Sequence, residues 1–174
     1  MSLGKPGVSG SGTDTLDGPQ GVAVAKNGDV YVIDGGKNNR IMKYSKDGKF
    51  IKTWGKPGFG PGEFLQPHDI CFDSKGRVFV ADRVNNRVQI FDADGKFIAQ
   101  WKQFGRPSAV YIDKNDTLYV SDSYSNAKIN QGYPRGIYIG SAVTGEVTAF
   151  IPDPDIEQQE QLNISGASGL AVDD

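Results

Sequence analysis

From Pro19 onward the chain is built of short apolar or alternating runs of about five residues, each closed by a turn-forming cluster. Period-two runs of this length predict strands. No stretch keeps a helical period over three turns, and the polar run from Glu157 to Leu162 reads as loop. The runs come in fours. In one set they are Asp69 to Asp73, Arg77 to Ala81, Arg87 to Asp92 and Lys96 to Trp101. Lys26-Asn27-Gly28-Asp29, Ser74-Lys75-Gly76 and Lys114-Asn115-Asp116 join first runs to second ones, while Asp47-Gly48 and Asp94-Gly95 join third to fourth. Such connections place φ > 0 where glycine or asparagine tolerates it, and they join antiparallel neighbours.

The fours repeat. GPQGVAVAKNGDVYVIDGGKNNRIMKYSKDGKFIKTWG, from Gly18, returns from Gln66 as QPHDICFDSKGRVFVADRVNNRVQIFDADGKFIAQW. A third copy opens at Pro107 and resumes, after an irregular stretch, at Arg135; a fourth opens at Ala167. The starts at Pro19, Pro67, Pro107 and Ala167 lie 48, 40 and 60 residues apart, a unit length that suits four-stranded propeller blades. Leu3-Gly4-Lys5-Pro6-Gly7 also echoes Trp54-Gly55-Lys56-Pro57-Gly58. The expected organisation is therefore the tail and exit loop of a preceding blade over 1–17, blades over 18–66, 67–106 and 107–166, and the first strand of a following blade over 167–174.

An aspartate ends each second run, and a polar turn with asparagine leads to a basic residue: Asp34/Asn39/Arg40, Asp82/Asn86/Arg87, and Asp122/Asn126 with Arg135 much later. Together with the DGKF hairpins this pattern resembles the NHL repeat, whose family fold is a β-propeller. Within that class, YVIDGGKNNRIMKYSKDGKFIKTWG, GPGEFLQPHDI and VADRVNNRVQIF resemble the catalytic domain of peptidyl-α-hydroxyglycine α-amidating lyase and its bacterial relatives. The expected fold class is all-β: about three NHL-type four-stranded antiparallel blades with partial flanking blades, part of a six-bladed ring. Three blades cannot close a propeller. The chain thus reads as the middle of a longer protein, or as half of a homodimer that closes the ring.

Composition trims the list of roles. A net charge of −2 lacks the broad cationic field of non-specific nucleic-acid binding. With Cys71 as the single cysteine there is no internal disulfide, and no apolar run approaches the roughly 18 residues that cross a bilayer. The chain reads as soluble, with its compartment unspecified.

In an up-and-down blade, the second-to-third-strand loops and the blade-to-blade loops share one face. Trp54 to Pro67 has seven residues more than Trp101 to Pro107, Asp122 to Arg135 has eight more than Asp82 to Arg87, and 152–166 is also long. All three elaborations fall on that face, which is the expected site for a peptide, protein or small-molecule ligand. The aspartates recur in every blade and so read as structural acceptors for turn amides or for Arg40, Arg87 and Arg135. A functional group is expected to be unique to one blade. By that test His68, Arg83, Tyr124, Tyr133 and Arg135 are the candidates, Arg83 and Arg135 as carboxylate holders and the tyrosines as ligand covers. The lyase resemblance implies that His68, in QPHDI, is one of three zinc ligands; the equivalent positions hold Gln20, Ser108 and Ser168. Asp153 and Asp155 offer oxygens for calcium. The two function readings are a binding scaffold and an amidating-lyase-like enzyme that releases peptide amide and glyoxylate.

Overall fold

The computed structural model describes residues 2–154 and 169–171. Among them, twelve strands form three separate four-stranded antiparallel sheets. Blade 1 holds β1 (Pro19–Val24), β2 (Val30–Asp34), β3 (Arg40–Tyr44) and β4 (Phe50–Trp54). Blade 2 holds β5 (Pro67–Phe72), β6 (Val78–Asp82), β7 (Arg87–Phe91) and β8 (Phe97–Trp101). Blade 3 holds β9 (Pro107–Ile112), β10 (Thr117–Asp122), β11 (Gly136–Ser141) and β12 (Val147–Pro152). Each sheet is an up-and-down meander in chain order. The all-β, bladed expectation is met, and strand ends fall within a residue or two of those read from the pattern. The runs at 157–162 and 167–168 lie outside the described residues, as does 172–174, and 169–171 carry no strand.

The blades stack face to face, so β6 and β7, in the middle of the middle blade, are buried on both faces. Tyr31, Ile33 and Ile41 of blade 1 meet Ile70, Val78 and Val80 of blade 2, with Phe64 and Phe91 filling the seam. Phe79, Val88 and Ile90 meet Val110, Leu118 and Val120 in the next seam. Burying one such side chain contributes about 1.5–3 kcal/mol. Leu3 and Leu16 cover the far face of blade 1, over Val32 and Met42. The third-to-fourth-strand turns lock the seams from outside. Gly95 has φ 78° and lies so close under Trp54 of the preceding blade that a Cβ would sit 2.5 Å from the indole, so only glycine serves there.

The loop at 57–64 closes with a Pro57–Phe64 bridge, and Ser9–Leu16 makes the same bridge one repeat earlier. Each inner strand also opens on a bulge. Pro67 pairs with Asp82 and Asp69 with Ala81, leaving His68 as the extra residue; Gln20 and Ser108 take that place in the other blades. Bulges re-aim side chains. Among the described residues, no helix is long and apolar enough to cross a membrane.

Candidate functional site

The recurring charges are consumed by the fold. Asp82 is fully buried; its Oδ1 accepts from the Leu65 amide at 2.9 Å. Its Oδ2 accepts from Asn85 at 2.8 Å, Arg87 Nε at 2.7 Å and Gln89 at 3.0 Å. Arg87 then donates to the Phe59, Gly60 and Glu63 carbonyls and to the Gln100 side chain, so the loop before blade 2 is wrapped around its guanidinium. Blade 1 repeats the device. Asp34 accepts from Arg40 Nε at 2.9 Å, and Arg40 donates to the Ser11, Gly12 and Thr15 carbonyls. In blade 3 the device is rearranged. Asp122 accepts from the Arg106 amide and from the amide and hydroxyl of Ser125, while Arg135 pairs with Asp153 at 3.1 Å. The left-handed asparagine of the turn is Asn39 in blade 1 and Asn86 in blade 2; in the enlarged blade 3 loop it is Asn130, while Asn126 organises its own turn through the Lys128 and Ile129 amides.

The non-recurring residues on the same face are placed differently. The bulge turns His68 toward blade 3, where Nδ1 meets the Ser108 carbonyl at 2.8 Å. A carbonyl only accepts, so Nδ1 carries the proton and Nε2 keeps its lone pair. Burial holds the His68 pKa below its ordinary value; the Ser108 carbonyl opposes that shift and the nearby Arg83 charge adds to it. Arg83 donates to Gln66 Oε1 at 2.9 Å, and its guanidinium lies 5.0 Å from the centre of the Tyr124 ring. Arg106 donates to Asn86 Oδ1 at 3.0 Å, and its pKa is lowered by burial and then by repulsion from Arg83. Arg40, Arg77, Arg87 and Arg135 all have carboxylate partners. Among the described residues, Arg83 and Arg106 form no salt bridge, and the Nε of each is buried without a partner. Two cations thus lie close enough to repel each other, neither in a salt bridge, with the nearby Asp122 carboxylate taken up by the Arg106 amide and by Ser125. Such a pair favours a carboxylate, which guanidinium groups hold through paired hydrogen bonds.

His68, Arg83 and Tyr124 therefore come together at the inner end of blades 2 and 3. Tyr133 and Arg135 line a different cleft, of about 530 Å³, within the enlarged loop between β10 and β11. Tyr133 packs on the seam between blades 2 and 3, and Arg135 is 3% exposed. Arg106 and Gln66 escaped the sequence reading. Both occupy the position before the inner-strand proline, where blade 1 has Gly18; none of the three residues recurs, and Arg106 is the one that carries a charge.

A zinc ion needs about three protein ligands with one position open. Among the described residues no group of three or more His, Cys, Asp or Glu is placed to hold a metal. His68 brings one nitrogen, its bulge counterparts are Gln20 and Ser108, and Ser168 lies outside the described residues. The residues present do not make a zinc site, and no step is derived through one. Asp153 faces Arg135, and Asp155 lies outside the described residues. Cys71 packs between blades 2 and 3, and burial pushes its thiol pKa well up.

A family profile described as 6-bladed beta-propeller matches residues 16–133. Human NHL repeat-containing protein 3 is 44% identical over 85 residues, which cover 47% of this chain and 24% of that protein. A probable peptidyl-alpha-hydroxyglycine alpha-amidating lyase of Caenorhabditis elegans is 40% identical over 86 residues, 48% of this chain and 25% of that one. The match thus spans about a quarter of the length of these curated relatives. The structure of Kuenenia stuttgartiensis hydrazine synthase superposes with a TM-score of 0.62 at 15% identity, over 85% of this chain and 38% of that one, a likeness of fold alone.

Proposed function

The chain belongs to the 6-bladed β-propeller family, and from that premise we propose that it is a binding scaffold whose loop-rich face takes a peptide, a protein segment or a small molecule through a carboxylate. Arg83 holds the carboxylate with Arg106 beside it, Tyr124 covers the ligand, and Tyr133 extends the surface along the enlarged loop, where Arg135, buried against Asp153, supports the loop from within. The observation that carries this reading is the pair of guanidiniums left without a carboxylate while every recurring arginine has one. The test is calorimetry with a short peptide ending in a free carboxylate and with its amidated twin. The free acid binds and the amide does not; equal binding of the two sinks the proposal. A homodimer closing six blades is the matching proposal for the assembly, and it requires a light-scattering mass of twice 18.8 kDa.

A second reading is supported by the 40% identity to the probable amidating lyase and by His68 with its free Nε2. In that reaction the C–N bond of a peptidyl α-hydroxyglycine breaks as the hydroxyl oxygen forms the aldehyde C=O, one proton is taken from the hydroxyl and one is given to the departing nitrogen, and the products are the peptide amide and glyoxylate. Glyoxylate release that His68→Ala abolishes is the result it needs. No release, with zinc supplied, removes it.

A further inference from the structure

We propose that the opposite face, the one with the tight turns, carries a separate site for an aromatic anion in the cleft between blades 1 and 2. The cleft measures about 380 Å³, within the range of roughly 300–1,000 Å³ typical of small-molecule pockets. Its floor is aromatic: Tyr31 and Phe72 meet edge to face with centroids 4.9 Å apart, and Ala25 forms the adjoining wall. Its rim is cationic, with Lys26 and Lys75 both exposed.

The acids at the cleft are already engaged. Asp73 accepts from the Lys75 and Arg77 amides and from Arg77 Nε at 2.6 Å. Asp29 pairs with Lys43, which itself lies over Tyr31 and donates to the Ala93 carbonyl. Lys26 Nζ bonds the neutral Ser74 carbonyl. Lys75 feels the charge of Asp116, whose own oxygens hold the Ser74 amide and hydroxyl. The rim ammoniums thus stand over an apolar floor without a carboxylate of their own in the cleft. This complementarity selects a flat apolar body with one negative group.

The neighbouring seam is bridged by a different residue. Between blades 2 and 3, Ser74 bonds Asp116, and Arg77 spans to the Ala142 carbonyl with its guanidinium 5.5 Å from the centre of the Phe79 ring. One repeat earlier the position of Arg77 is held by Asp29, and that of Phe79 by Tyr31. The crossing is made instead from β3 by Lys43, which lies over the Tyr31 ring and, like the Tyr31 hydroxyl, donates to the Ala93 carbonyl, so no guanidinium spans the side of the cleft where Lys26 and Lys75 stand.

The test uses the fluorescent probe anilinonaphthalene sulfonate on the intact chain, with uncharged phenylnaphthylamine as its partner. The sulfonate binds at one saturable site, and the neutral dye binds at least about fivefold more weakly. Ala25→Trp, which fills the cleft, weakens sulfonate binding at least about tenfold, and Lys75→Glu weakens it about fivefold. Lys75 lies in an exposed turn, so its variant carries the test should Ala25→Trp not fold. Binding at several sites, equal binding of the two dyes, or binding that Lys75→Glu leaves untouched overturns the proposal.

Discussion

Arg83 and Arg87 stand four residues apart in one turn of blade 2 and meet opposite fates. Arg87 is 3% exposed and donates to Asp82, Gln100 and three loop carbonyls. Arg83 is half-buried, donates to Gln66 and stacks on Tyr124, with no carboxylate partner among the described residues. The difference is one of recurrence. A charge that every blade repeats has been matched to the blade's own donors and acceptors, because each copy must satisfy the same buried backbone groups. A charge found in one blade is not bound to that demand: Arg77 still serves the fold, pairing with Asp73 and reaching the Ala142 carbonyl, whereas Arg83 keeps hydrogen-bonding capacity for a ligand.

The sharpest way to break this contrast is to truncate each arginine. Arg87→Ala leaves Asp82 buried without its countercharge and frees three loop carbonyls. It is expected to cost about 3–5 kcal/mol in urea unfolding. Arg83→Ala is expected to cost less than about 1 kcal/mol. Ligand binding reverses the order: a peptide carboxylate is expected to lose about tenfold or more in affinity with Arg83→Ala or Arg106→Ala, measured by calorimetry.

A smaller effect marks where the rule bends. Asp116 is unique to blade 3, taking the left-handed position that Gly28 and Gly76 hold in the other blades, yet it serves the fold by accepting from the Ser74 hydroxyl and amide. Those bonds hold its pKa below the ordinary carboxylate value. Its stabilisation is thus present above the unfolded-state pKa and is lost as pH falls through the lower folded-state value. Ser74→Ala is expected to cost about 1 kcal/mol near neutrality and to flatten the acid limb of the stability curve below about pH 4.

The sequence made the blades legible because each feature came in several copies: Asp-Gly turns, Asp–Arg pairs and apolar runs read together where one alone would be ambiguous. The same logic separated Asp34 and Asp82 from Arg83 before any coordinates. It failed where register changes. The insertion in blade 3 hid that Arg135 turns to Asp153 and that Asn130, not Asn126, takes the left-handed turn position. It also missed Arg106, since the residue before a strand-opening proline reads as loop, and only the fold brings it beside Arg83. The cleft over Tyr31 and Phe72 was invisible for the same reason: Lys26 and Lys75 belong to different blades and share a rim only when the blades are stacked.

The most direct test uses the chain's single histidine as a reporter. NMR titration of the His68 ring, in the native protein and in Arg83→Ala, with and without acetate, reads the uncommitted charge beside it. The account predicts a pKa below the ordinary histidine value in the native protein, because burial and Arg83 both disfavour the imidazolium. Acetate should raise that pKa by neutralising the guanidinium, Arg83→Ala should raise it without acetate, and acetate should add nothing to the variant. A His68 pKa that neither acetate nor Arg83→Ala moves would contradict the claim that Arg83 is held in reserve for a carboxylate.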